Sequence, residues 1–298
     1  MAFRVGVKAG DLQIQSWNCN SLGKTHSSWV KFVSKLKNSS ENIFVLIDTR
    51  FGPKQEKDFE KLWDGPIFFN SFISNQRGLM VLLRDALPAK NIIVENRIKG
   101  NYTRLSLQWG NSKILIKCVY APNDDQPAID SECENNSSRF FREVFDDKGD
   151  EAYDVVLMAG DFNVAPDPNE DTLGYLHVNN PNSRNFIERM KALCMLTDVF
   201  RHRNPDVRKY TFSKGQAKNH TKARLDYFLL NDSALESVVK VGIGRENALS
   251  DHCPIFIHLR LTKVKRGRGF WHLNNEFLKE PAYDKFDQVP CPLKKFAP

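Results

Sequence analysis

Short strand-like runs recur along almost the whole chain, and several are apolar without interruption. They are Leu12–Trp17, Ile43–Asp48, Leu79–Leu83, Tyr102–Trp109, Lys113–Tyr120, Asp154–Ala159, Arg224–Leu230 and Pro254–Leu261. A stretch such as FVLI or VVLM offers apolar side chains to both faces of a sheet, so it suits a central strand covered on both sides. Tyr102–Trp109 alternates instead, with Leu105, Leu107 and Trp109 on one face. Between these runs lie helical patterns. Trp29, Phe32, Val33 and Leu36 follow the spacing of one helix face after a Ser-Ser start; Phe140, Phe141, Val144 and Phe145 form a second stripe. Phe186 and Met190, with Leu193 or Cys194, form a third. Strands with intervening helices predict an α/β chain in which sheets pack face to face and helices lie outside.

A length of 298 residues allows two domains of roughly 150 residues, but a layered α/β domain often reaches about 250 residues as one unit. The expected division is an N-terminal extension at 1–9, one domain over 10–262, and a basic, Gly-punctuated segment at 263–298 beginning KVKRGRG. No stretch approaches the roughly 18 apolar residues of a membrane span, so no membrane partner is expected. The N-terminus has no apolar core of a secretory signal. Six cysteines are scattered without a C-x-x-C pair or zinc-finger spacing, which fits free thiols in a reducing, intracellular setting.

The net charge of +7 is localised. Residues 201–224 hold eight Lys or Arg against one Asp, and residues 263–298 hold eight against four acids. A basic run is often only a solvated face. Here it also fits an electrostatic footprint for a polyanion, with Arg208, Lys209, Lys214 and Lys218 as phosphate contacts.

Polar residues stand at the strand boundaries: Asn18, Asp48, Tyr120, Asp161 with Asn163, Asp226, and Asp251 with His252. Side chains at strand ends can converge on one edge of the sheets, where a rigid frame positions them. Hard carboxylate and amide oxygens suit Mg²⁺ or Mn²⁺, and no Cys/His cluster points to zinc. Hydrolysis of a phosphate ester needs an activated water and charge on the phosphoryl oxygens. In Gly160-Asp161-Phe162-Asn163 an acid and an amide stand two apart; His252, oriented by a carboxylate such as Asp226, could offer a proton or charge. Singly, each residue has a plainer role. Asn18 suits a turn, Asp48 a strand end, Tyr120 a core aromatic, and Asp226 an ion pair with Arg224. The signal lies in the ordered set.

The order WN, an acid after an apolar strand, YAPN, GDFN, RLDYFLL and SDHCPI resembles the endonuclease/exonuclease/phosphatase superfamily over residues 10–262. RLDYFLL and SDHCPI are similar to its apurinic/apyrimidinic endonuclease branch. The resemblance implies a DNase I-like, four-layered α/β sandwich of two mixed β-sheets flanked by helices, and Mg²⁺-dependent phosphodiester hydrolysis in which Mn²⁺ substitutes. Asn18, Asp48 and Asp251 would surround the metal, and Tyr120 would touch the scissile phosphate. Asp161 would activate water with help from Asn163, and Asp226 would orient His252. The acid of the second strand is usually Glu in this family; Asp48 is one methylene shorter.

Within the superfamily the chain resembles the endonuclease domain of non-LTR, LINE-type retrotransposons. Tyr210–Arg224 is similar to their DNA-probing β-hairpin, which implies DNA contacts from Thr211 and Arg224 as well as the basic residues above. The tail RGRGFWHLNNEFL resembles their connector to a reverse transcriptase. The implied protein is a monomeric fragment that nicks double-stranded DNA in the nucleus, with element RNA and the reverse transcriptase domain as partners. Its 3′-hydroxyl product would prime reverse transcription. A DNA-repair apurinic/apyrimidinic endonuclease, an inactive nucleic-acid-binding homologue and a lipid phosphatase are the alternatives.

Overall fold

The apolar runs form two six-stranded sheets. The computed structural model describes residues 11–22, 25–73, 75–123, 136–145, 149–174, 181–215, 221–246 and 248–261. The N-terminal extension and the 263–298 segment lie outside them, as do Cys133, Cys291 and Lys218. The strands of the first sheet are β1 (Asp11–Asn18), β2 (Ile43–Ile47), β3 (Ile67–Asn70), β4 (Leu79–Leu83), β14 (Val238–Ile243) and β15 (Ile255–Arg260). They lie in the order β14-β15-β1-β2-β4-β3. The second sheet contains β5 (Ala89–Ile98), β6 (Tyr102–Trp109), β7 (Ser112–Tyr120), β8 (Val155–Asp161), β10 (Leu196–Asp198) and β13 (Asp226–Asn231). Its order is β10-β13-β8-β7-β6-β5. Each sheet is mixed, since β1–β2 and β7–β8 are parallel and their neighbours antiparallel.

Residue parity explains the layers. In β2, Ile43, Val45 and Ile47 join Ile114, Ile116, Leu157 and Phe228 of the other sheet in one central core. The intervening Phe44 and Leu46 face the opposite way, into a cluster with Trp29, Phe32, Val33 and Leu36 of α1 (His26–Lys37) and Phe59 of α2 (Pro53–Glu60). On the outer face of the second sheet, Met158, Tyr227 and Leu229 pack against α3 (Asn136–Phe145) and α5 (Pro181–Leu193), through Phe141, Val144 and Ile187. The result is helix, sheet, sheet, helix, the expected four-layered sandwich. Truncating a fully buried core residue such as Ile116 to Ala costs about 2–5 kcal/mol by leaving a cavity.

The sequence pattern overlooks β3, β5, β14 and α2. β5 is an edge strand with alternating exposed charges, AKNIIVENRI, and β14 carries an exposed lysine. It also overlooks α4 (Pro168–Asp171), α6 (Val199–Arg203) and β9 (Thr172–Leu173), all too short to show a period. β9 joins the hairpin β11 (Phe212–Lys214) and β12 (Thr221–Ala223) in a small third sheet beside the main two. The expected hairpin is therefore present, although its tip, 216–220, lies outside the described residues. α1 begins before the expected Ser-Ser start, because the Thr25 hydroxyl accepts from the Ser28 amide and caps it. No helix among the described residues is long and apolar enough to cross a membrane.

Candidate active site

Three adjacent strands bring three of the expected residues into line. In the β13–β8–β7 ladder Asp226 pairs with Asp161, and Asp161 with Tyr120. Gly160, just before Asp161, has φ +151°, and a Cβ there would lie 1.9 Å from the Val119 carbonyl oxygen. Only glycine lets β8 approach β7 so closely, so the Gly of GDFN sets the position of its Asp. The partner sheet supplies the rest. Asn18 ends β1 and donates from Nδ2 to Asp161 Oδ2 at 2.8 Å, a buried bond that ties the two sheets together.

Asp161 is 1% exposed, and its Oδ1 accepts the Asn163 backbone N–H at 2.8 Å. Asn163 has φ +51°, and its side chain donates to the Ala121 carbonyl at 2.7 Å. Burial, reinforced by the nearby Asp226 charge, pushes the Asp161 carboxyl up to about 7; His252 and the bonds from Asn163 and Asn18 pull the other way. The acid is thereby poised to take a proton near neutral pH.

His252 Nδ1 lies 2.7 Å from Asp226 Oδ2, with both side chains buried. Burial alone would lower the imidazole pKa; the Asp226 charge and hydrogen bond, with Asp161 and Asp251 behind them, outweigh it and raise it to about 9. The backbone here is anchored from several sides. Trp17 Nε1 donates to the His252 carbonyl, the Ser250 hydroxyl donates to the Asn18 carbonyl, and the His252 amide donates to the Ser250 oxygen. Ligand atoms of Asp161, Asp226 and His252 all lie within 4.8 Å of one another, close enough to share an ion.

Asp48 and Asp251 stand in a neighbouring cluster. The Arg50 guanidinium reaches Asp48 Oδ2 at 2.6 Å and Asn20 Oδ1 at 3.0 Å. Asn20 in turn donates to Asp251 Oδ1 at 2.9 Å. A cation already bridges this oxygen-rich cluster, so its chemistry fits a divalent ion. Burial raises the Tyr120 hydroxyl pKa strongly, with the Asp48 and Asp161 charges adding to it, so the phenol remains a donor. Positive φ values concentrate here, at Asn20, Ser21, Asp48, Arg50, Asn75, Arg77 and Asn163. Such strain persists only where surrounding structure holds it, and it gathers at functional sites.

The expected catalytic and metal residues thus share one edge. Sequence reasoning does not single out Asn20 and Arg50, although each stands two residues from an expected one, in WNCN and DTR. The expected DNA-facing set needs two corrections. Arg224 is 1% exposed, clamped by Asp171 at 2.8 Å through both nitrogens and by Asp198 at 2.8 Å, with Arg201 also on Asp171. It anchors the hairpin root and cannot reach a phosphate; nor does it pair with Asp226. Thr211 is fully buried, and its hydroxyl accepts from the Leu225 and Asp226 amides. Its side chain therefore supports the strand that carries the histidine's partner. Lys214 is exposed, Arg208 is exposed and paired with Glu170, and Lys209 donates to the Ile243 carbonyl.

No protein-family model matches the chain. Solved structures do: an apurinic/apyrimidinic endonuclease from Leishmania major superposes with TM-score 0.68 at 17% identity, covering 84% of this chain and 88% of that one. The chain shares its fold with that endonuclease. Among curated relatives, an uncharacterized 149 kDa protein of transposon TX1 from Xenopus laevis is 23% identical over 259 residues. That match takes in 85% of this chain and 18% of the frog protein, so the chain spans about a fifth of that relative's length. An exodeoxyribonuclease of Bacillus subtilis is 23% identical over 268 residues, 82% of this chain and 98% of the bacterial protein.

Proposed function

We propose that this chain is a DNA endonuclease that hydrolyses phosphodiester bonds with help from a divalent ion. The observation that carries the reading is the Asn18–Asp161 bond beside the Asp226–His252 pair, a buried carboxyl next to a buried imidazole held by a second carboxylate. Asp161 takes a proton from water, and the resulting hydroxide oxygen bonds to phosphorus as the P–O3′ bond breaks. His252 and the Tyr120 hydroxyl donate to the phosphoryl oxygens, where charge accumulates. The departing O3′ takes a proton from solvent, so the products are a 5′-phosphate and a 3′-hydroxyl. Asp48, Asp251 and Asn18, with Asn20 beside them, would hold the ion, Mg²⁺ in the first instance and Mn²⁺ as a substitute. It would supply positive charge to the phosphate and the departing oxygen.

The finer reading is nicking of target DNA in retrotransposition, in the nucleus, with the 3′-hydroxyl priming a reverse transcriptase on element RNA. The similarity to the TX1 protein over most of this chain supports it, as does the hairpin beside the site. Lys214, Arg208, Lys209 and Lys218 would contact phosphates. The likeness to an apurinic/apyrimidinic endonuclease favours a second reading, repair of abasic sites. Cleavage of one duplex with and without an abasic site separates the two. Comparable nicking of intact DNA supports the retrotransposon reading, and strict dependence on the abasic site supports repair.

A further inference from the structure

The Arg50 side chain has no part in the chemistry just described, yet it grips the metal-site acid. Its Nε lies 3.1 Å from both oxygens of Asp48, and its terminal nitrogen lies 2.6 Å from Oδ2. The same nitrogen holds Asn20 Oδ1, and Asn20 holds Asp251, so one guanidinium organises the whole cluster. The Asp48 side chain is 5% exposed against 37% for Arg50. A buried carboxylate is thus neutralised by an arginine whose flank opens to solvent.

The backbone fixes this arrangement. Asp48 and Arg50 both have positive φ, +55° and +56°. The Arg50 amide donates to the Arg77 carbonyl at 2.7 Å, and the Arg50 carbonyl accepts from the Asn75 amide. Thr49 between them donates to the Gly78 carbonyl. This pinched loop turns the side chain two residues after the acid back onto the acid itself.

Resting on the metal-site reading above, we propose that Arg50 is a built-in counter-ion for this site, and that its guanidinium and a divalent cation occupy the Asp48–Asn20–Asp251 cluster in alternation. Arg50 contacts both Asp48 oxygens, so a divalent ion bound there competes with it for the same lone pairs and against its positive charge. Without metal, Arg50 keeps the two carboxylates assembled and offsets one of their two charges. When metal binds, the Asp48–Arg50 contact breaks and the guanidinium swings to its solvent side. The site therefore resists collapse without metal, and its metal affinity is lowered by the cost of displacing Arg50.

The test is Mn²⁺ binding to the whole chain, stripped of metal, followed by titration calorimetry and by the EPR signal of free Mn²⁺. Arg50→Gln should bind Mn²⁺ about tenfold more tightly than wild type, since no competing contact must break. Arg50→Lys, which keeps the charge but loses the fork, should fall between them and serves if the glutamine variant does not fold. In chelator, both variants should melt below wild type, and Mn²⁺ should raise their Tm by more. Arg77→Gln controls for general charge, because Arg77 bonds Asn101 and not Asp48. Equal or weaker Mn²⁺ binding by the Arg50 variants overturns the proposal while the metal-site reading stands. An equal gain in Arg77→Gln overturns it too, as a nonspecific field effect. Failure of wild type to bind, or unchanged binding in Asp48→Ala, overturns the metal-site reading and the proposal together.

Discussion

Asp161 and Asn18 come from different sheets, and the 2.8 Å bond between them places the buried carboxyl at the seam of the sandwich. The acid is held where burial keeps its carboxyl near neutrality, at about 7. A carboxyl raised in this way stabilises the fold below its unfolded pKa of about 4, and that contribution is lost as pH rises through 7. Above pH 7 the ionised Asp161 is a strained group.

Asp161→Asn should therefore stabilise the metal-free protein at pH 8 while abolishing nicking. Removing the buried charge should give a net gain of about 1–2 kcal/mol. The gain is limited because an amide keeps only one acceptor oxygen, so it loses one of the two bonds donated by the Asn18 side chain and the Asn163 backbone. Nicking should fall by about 10²–10⁴-fold, the usual contribution of a positioned base. Urea unfolding with chelator and a plasmid assay measure the two effects.

The Asp226–His252 pair has the opposite pH signature from an ordinary carboxylate pair. With its pKa raised to about 9, His252 contributes stability that is fully present below about 6.5 and is lost as pH rises through 9. Asp226→Asn should remove that dependence and return the imidazole toward its ordinary range, as read by NMR titration of the metal-free protein. An unchanged His252 titration would contradict the pairing.

The same two values set a pH window for catalysis. Asp161 must be ionised, above about 7, and His252 protonated, below about 9, so kcat/KM should be bell-shaped between them. A bound divalent ion adds positive charge and moves the acid limb downward. His252→Gln should remove the alkaline limb and move the acid limb upward, because the His252 charge holds the Asp161 pKa down.

Arg224→Met should cost about 3–5 kcal/mol, because it leaves the buried Asp171 and Asp198 without their shared cation. Its signature is lost stability in denaturant with no change in the salt dependence of DNA binding, where Lys214→Gln should flatten the slope by about one unit. A salt slope altered by Arg224 and not by Lys214 would reverse these roles.

Much of this was legible in the sequence for a physical reason. Central strands such as β2 and β8 are apolar on both faces, and their ends carry the polar residues that the two sheets bring together. Asn18, Asp161, Asp226 and His252 are therefore readable from order alone. Edge strands and short elements were not, since β5 is half polar and β9 is two residues long. Arg224 misled because its charge sits in a basic run, whereas its partners Asp171 and Asp198 are distant in sequence. Arg50 was silent for another reason. Its contact with Asp48 depends on two residues at positive φ, which local sequence does not announce.

The central claim is tested most directly by incubating the purified chain with supercoiled plasmid in Mg²⁺, alongside Asp161→Asn and His252→Ala. The expected result is conversion to nicked circles bearing 3′-hydroxyl and 5′-phosphate ends, abolished by chelator and by either substitution. Nicking that persists in chelator, or that both variants retain, would contradict it.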